Sequence, residues 1–149
     1  MTCFDDDLGI HFAKIHRCGS TFIGRHLVDL DIGSGQHAYL LAISDLPGCS
    51  QETLSRLFGV DKANTARAVK RLEEKAYIHR EPDPADARAL RIFLTPGGQA
   101  CIQRIRLALK DWNDALMAGI PLNQRESIHA LIATLATTAQ ASVGQESSE

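Results

Sequence analysis

The sequence predicts a mainly α-helical chain with one small β-hairpin, and three observations predict it. Apolar residues recur at spacings of three and four through most of the 149 residues. Between Tyr77 and Thr95 that period gives way to short alternating runs around a proline-containing polar stretch. Three residues suited to starting helices, Ser50, Asp61 and Thr95, stand directly before three of the periodic segments.

From Leu8 to Val28, the residues Leu8, Phe12, Ile15, Phe22 and Ile23 form the apolar side of a first helix. The run Asp31-Ile32-Gly33-Ser34-Gly35 breaks it, and Ser34 is the expected N-cap of a second helix. Tyr39, Leu40, Ile43 and Leu46 are expected on the inner side of that helix, and Pro47-Gly48 ends it. Ser50 caps a short third helix, with Glu52 in the first turn, where a carboxylate meets the positive helix end. Its inward face is expected to hold Leu54, Leu57 and Phe58, and Gly59 supplies the break. Asp61 caps a fourth helix that runs to about Lys75 and buries Thr65, Ala68, Val69 and Leu72. Helix, tight turn, helix at these lengths is a helix-turn-helix layout.

The hairpin follows at once. Ile78 on one side, and Ile92 and Leu94 alternating with Arg91 and Phe93 on the other, read as extended runs. Between them Glu81 to Arg88 holds Pro82 and Pro84, which exclude helix and favour a polar tip. A hairpin after the second helix of such a pair is a wing. Thr95-Pro96 then opens another helix, with Thr95 as N-cap and Pro96 in the first turn. Ile102, Ile105, Leu109, Trp112 and Leu116 continue it at helical spacing. After Pro121, Asn123 and Glu126 are spaced as a variant capping box, and Ile128, Leu131, Ile132, Leu135 and Ala139 make a last amphipathic helix. The tail from Ser142 is small and polar and is expected to fray.

The chain is long enough for one domain with its own core, and 44% hydrophobic residues suit a globular protein. No stretch approaches the roughly 18 apolar residues of a membrane span. Met1 to Asp7 is acidic and lacks a signal-peptide layout, so a cytoplasmic protein is expected. Cys3, Cys18, Cys49 and Cys101 form no closely spaced pair, which in a reducing compartment means free thiols. No glycine-rich phosphate loop, nucleophile elbow or metal-spaced cluster occurs. The reading is therefore not an enzyme, with no cofactor and no metal.

Net charge is −2, yet the charge is unevenly spread. Between Leu54 and Arg80 seven cations face three anions, so that segment carries +4 and the rest of the chain −6. A basic patch on an acidic body attracts phosphate over about one Debye length, roughly 8–10 Å. With Thr65, Ala68, Val69 and Leu72 inward, the other side of the fourth helix presents Ala63, Ala66, Arg67 and Lys70, flanked by Asn64 and Arg71. Arginine suits two guanine edge atoms and asparagine two adenine edge atoms. Lys62, Lys70 and Arg71 suit phosphates, which position without specifying. At the wing, Arg88 is expected to enter a narrow minor groove, with Asp86 holding its guanidinium in a bidentate pair.

The segment GCSQETLSRLFGVDKANTARAVKRLEEKAYIHREPDPADARALRIFLTPGGQA, Gly48 to Ala100, resembles the DNA-binding core of the MarR family of bacterial and archaeal transcriptional regulators. The likeness runs through the helix pair, the DPADAR wing and the LTPGG that opens the next helix; GSGQHAYLLAI also resembles the family's second-helix entry. The resemblance implies a single domain over 1–149. Its winged helix-turn-helix lobe would span about 36–98, with dimerisation helices at about 6–30 and 99–142 and a tail at 143–149. It also implies a homodimer on a pseudo-palindromic double-stranded operator, with Ala63, Asn64, Ala66 and Arg67 at recognition positions and Asp86 and Arg88 in the wing. The length of the outer helices points to a partner independently, because a lobe this small leaves their apolar faces uncovered. Ala76 departs from the family, which usually has glycine where the recognition helix ends, so a left-handed cap there would be strained or differently built.

The resemblance further implies a regulator, most often a repressor, released by a small aromatic or anionic effector or by cysteine oxidation. His11, His16, Arg17, His26 and His37 are the candidate ligand residues, and Cys18 beside Arg17 is the redox candidate. A winged helix used only for protein contact remains the alternative, because fold does not fix function.

Overall fold

The computed structural model describes residues 7–33 and 35–145 and divides into two compact units after Trp112. In chain order the elements are α1 (Leu8–His26), a 3-10 turn (Val28–Leu30), α2 (Gln36–Asp45), α3 (Gln51–Phe58) and α4 (Lys62–Glu74). There follow β1 (Ile78–Pro82), β2 (Leu90–Leu94), α5 (Pro96–Met117) and α6 (Leu122–Gln145). The expected fold class is the observed one: mainly helical, with a single two-stranded wing.

The core lies in the first unit. Leu40 and Ile43 of α2, Leu54 of α3, Thr65, Val69 and Leu72 of α4, Ile78 of β1, Ile92 of β2 and Ile105 of α5 are fully buried. Two residues expected inside are not: Leu46 is 45% and Leu57 51% exposed. Leu46 is the C-cap of α2, already off the helix at φ −128°. In the eight-residue α3, Leu54 and the half-buried Phe58 are four apart and take the inward side, leaving Leu57 on the flank.

The caps explain where the helices begin. Ser50 Oγ accepts the Thr53 N–H at 3.0 Å, and Asp61 Oδ1 accepts the Asn64 N–H at 2.8 Å. Thr95 Oγ1 accepts the Gly98 N–H at 3.1 Å, and its own hydrogen goes to the Ala76 carbonyl at 2.6 Å. Ser34 lies outside the described residues; the cap position of α2 belongs to Gly35, at φ +80°. Helix α6 starts at Leu122 with the Gln124 N–H on the Pro121 carbonyl at 2.9 Å, so Asn123 sits inside the first turn instead of capping it.

Helix α4 ends in a Schellman motif. The Tyr77 N–H bonds the Leu72 carbonyl at 3.0 Å and the Ala76 N–H bonds the Glu73 carbonyl at 2.9 Å, with Ala76 left-handed at φ 58°. An alanine thus occupies the backbone state that glycine adopts at no steric cost. The strands pair antiparallel from Ile78 with Leu94 to Pro82 with Leu90, and Cys49 adds a bridge to Ile92.

Contacts distant in sequence fix the connector ahead of α2. Lys75 Nζ bonds the Asp31 carbonyl and pairs with its carboxylate at 3.0 Å. Arg104 of α5 grips Asp29 with two nitrogens, at 2.6 and 2.7 Å, and donates to the His26 carbonyl at 3.1 Å. Much apolar surface stays uncovered. Leu8, Ile10, Phe12 and Ile15 of α1 are exposed, as are Leu122, Leu131, Ile132, Leu135 and Val143 of α6. Among the described residues no helix is long and apolar enough to cross a membrane.

Candidate nucleic-acid interface

Helix α4 turns one side to the core and the other to solvent. Thr65, Val69 and Leu72 are buried, whereas Lys62, Ala63, Asn64, Arg67, Lys70 and Arg71 are exposed and Ala66 is half-buried. The six outward positions read from the periodicity therefore lie on one accessible face, with Lys62 beside them. Lys70 makes a long, exposed pair with Glu74 one turn on, at 3.8 Å, which solvent screens. Arg71, with Arg67 and Asn64, lines a cleft of about 330 Å³ against Gly35, Gln36 and Tyr39 at the start of α2.

At the helix start the side chains form a chain of bonds. Asn64 Nδ2 donates to Asp61 Oδ2, and Arg67 Nη2 donates to Asn64 Oδ1. The Asn64 backbone N–H on Asp61 holds its carboxyl below the usual range, with the Asn64 amide adding to the effect.

The wing tip is built from two aspartate turns. Asp83 Oδ1 accepts the Ala85 N–H at 2.8 Å, and Asp86 Oδ1 accepts the Arg88 N–H at 3.0 Å. The expected grip of Asp86 on the Arg88 guanidinium is thus corrected: Asp86 shapes the backbone instead, since its reach two residues on ends at a main-chain donor. Arg88 is exposed and lines a cleft of about 260 Å³ with Arg80 and the start of α3, Ser50 to Glu52. Arg80 was not singled out from the sequence. Its guanidinium bonds both carboxylate oxygens of Glu73, with Nε at 3.1 Å, and that partner lowers the Glu73 carboxyl. Seven residues of separation across a helix end and a strand give no periodic signal.

The five ligand candidates do not converge. His11 and His16 lie exposed on α1, and His26 stacks on Phe22 with ring centroids 4.3 Å apart. His37, half-buried, lines a small cleft of about 150 Å³ with Ile23, Leu27 and Ile32, and burial lowers its pKa. Arg17 instead joins Cys18, Thr21, Phe22, Arg25 and Trp112 around an open groove of about 450 Å³. Arg17, Thr21 and Arg25 share a helix face at spacings of four, a pattern visible in the sequence itself. The groove floor exists because α1 passes close to the indole at Gly19, where a Cβ would lie 3.0 Å from Trp112 Nε1. Cys18 is exposed. No group of residues suited to a metal occurs among the described residues.

Comparison with known proteins agrees with this geometry. A model of the MarR family matches residues 30–89, which takes in α2, the helix pair, β1 and the wing tip. The uncharacterized HTH-type transcriptional regulator YybA of Bacillus subtilis is 32% identical over 104 residues, covering 70% of this chain and 69% of YybA. A crystal structure of MarR is 32% identical, covers 97% of this chain and 99% of its own, and superposes with a TM-score of 0.83. At the level of fold alone, a cysteine-to-serine variant of Escherichia coli MarR complexed with operator DNA matches at 22% identity. It covers 91% of this chain and 99% of its own, with a TM-score of 0.80. The outward face of α4, the wing and these likenesses together establish that the chain belongs to the MarR family of winged helix-turn-helix transcriptional regulators.

Proposed function

We propose that this regulator acts in the cytoplasm as a homodimer, with a lobe at about 36–98 on each half of a pseudo-palindromic operator and the flanking helices joining the copies. The observation that carries the reading is the single exposed face of α4, on which Lys62, Asn64, Arg67, Lys70 and Arg71 stand together above a buried stripe. A guanidinium there suits guanine O6 and N7, and the lysines suit phosphates. Arg88 at the wing tip suits an adjacent minor groove. The fold of this chain is also that of the E. coli MarR variant complexed with operator DNA. The dimer is supported by the uncovered apolar residues of α1 and α6, since burying such surface stabilises by about 25 cal/mol per Å².

The regulator represses transcription until a small aromatic or anionic effector releases it. The groove at Arg17, Phe22, Arg25 and Trp112 offers two guanidinium groups and two rings to such a ligand. Cys18 on its rim supports thiol oxidation as the second release route.

Binding to duplexes enriched from random sequence tests the main claim. Affinity should fall steeply with salt, log Kd changing by about 0.9 per phosphate neutralised for each unit of log salt. Arg67→Ala should abolish sequence preference, whereas Lys70→Ala should weaken specific and random duplex alike. A salt-insensitive protein that enriches no duplex would mean a winged helix serving protein contact.

A further inference from the structure

We infer that Asn64 is a positioning residue that aims Arg67, and that it does not itself read a base. The inference rests on the DNA-reading proposal and narrows it. Asp61, Asn64 and Arg67 are spaced by three, so they climb one ridge of α4 from its N-terminal end, the end that enters a major groove in this motif. Asp61 is anchored by its cap: Oδ1 holds the Asn64 backbone N–H at 2.8 Å. Its other oxygen accepts Asn64 Nδ2, and Asn64 Oδ1 accepts Arg67 Nη2.

The charges at the two ends fix the direction of the amide. Turned over, it would set its oxygen against a carboxylate and its N–H groups against a guanidinium, which has donors only. Both atoms by which an asparagine grips adenine already carry a bond within the helix, so turning the amide onto a base edge would break the chain that holds Arg67. Arg67 keeps most of its five donors, so its fork toward a guanine edge survives the contact. An arginine free on a helix surface loses rotamer freedom when it docks; one already held by a neighbour loses less.

The experiment uses the full chain and the duplex it enriches from a random-sequence library. Wild type, Asn64→Ala, Arg67→Ala and the double variant are titrated against that duplex and every single base-pair replacement of it. Asn64→Ala should fold normally, because the cap bond is to a backbone N–H that alanine retains; a thermal melt checks this. Its affinity should fall about 2- to 10-fold, the loss from ordering one rotamer-rich side chain on binding. The weakened preference should map to the base pair at which Arg67→Ala loses discrimination, and the double variant should be no worse than Arg67→Ala. Loss of preference at a different base pair, additive with Arg67→Ala, would make Asn64 a base contact and overturn the inference. So would an Asn64→Ala protein with unchanged affinity and preferences. A wild-type protein that enriches no duplex overturns the DNA-reading proposal itself, and this inference with it.

Discussion

Tyr77 donates its phenolic hydrogen to the Leu30 carbonyl at 2.6 Å, joining the residue just past the left-handed end of α4 to the connector before α2. Forty-seven residues separate the partners. Tyr77→Phe removes the bond, together with the hydroxyl's contact with the Cys101 thiol. Unfolding in urea should show a loss of about 0.5–1.5 kcal/mol, the net value of one such hydrogen bond. An unchanged midpoint would mean that water serves the Leu30 carbonyl equally well.

Ala76 offers a gain of stability. Its φ of 58° places a Cβ in the left-handed region, which costs an L-residue about 1–2 kcal/mol. Glycine avoids that cost but has more freedom to lose on folding. Ala76→Gly should therefore stabilise the protein by about 0.5–1 kcal/mol, read as a higher melting temperature. A lower one would contradict the strain.

Thr65 carries the reverse lesson. Its Oγ1 is fully buried without a hydrogen-bond partner among the described residues. Burying such a hydroxyl costs about 1–3 kcal/mol, which an apolar group of the same shape avoids. Thr65→Val should match or exceed the wild-type stability, and Thr65→Ser, which keeps the hydroxyl and deletes a packed methyl, should fall below it.

His37 governs a pH window. Burial lowers its folded pKa, so below the ordinary histidine value of about 6.5 the unfolded chain takes up the proton first. The stability contribution is fully present above that value and declines as pH falls through the window toward the folded pKa. His37→Gln should flatten the decline of stability that sets in as pH falls below about 6.5. Asp29, Asp61 and Glu73, all with lowered carboxyls, lose their contributions in a separate, more acidic window. An unaltered slope in the variant would remove His37 from the account.

Local chemistry made much of this fold readable. Ser50, Asp61 and Thr95 act within three residues of themselves, so their capping roles could be seen in the chain. The outward face of α4 was equally legible, because thirteen helical residues suffice for periodicity to separate two sides. Eight residues did not suffice in α3, where Leu57 was placed inside. Asp86 misled for a different reason: from two residues away a carboxylate has a choice between a side chain and a backbone N–H, and spacing does not arbitrate. The pairs Lys75–Asp31 and Arg104–Asp29 had no sequence signal, as they depend on how distant segments meet. The second glycine of the LTPGG motif is of that kind too. Gly98 is required because a Cβ there would collide with the Tyr77 carbonyl, a neighbour that only the folded chain supplies.

Burial pushes the Cys49 and Cys101 thiols above their ordinary pKa, and Cys101 also gives its hydrogen to the Gly97 carbonyl at 3.2 Å. Oxidants and alkylating agents attack the thiolate, so these two sulfurs are chemically quiet. Among the described cysteines, Cys18 alone stands in the open, and an electrophile diffusing up to the molecule meets it first.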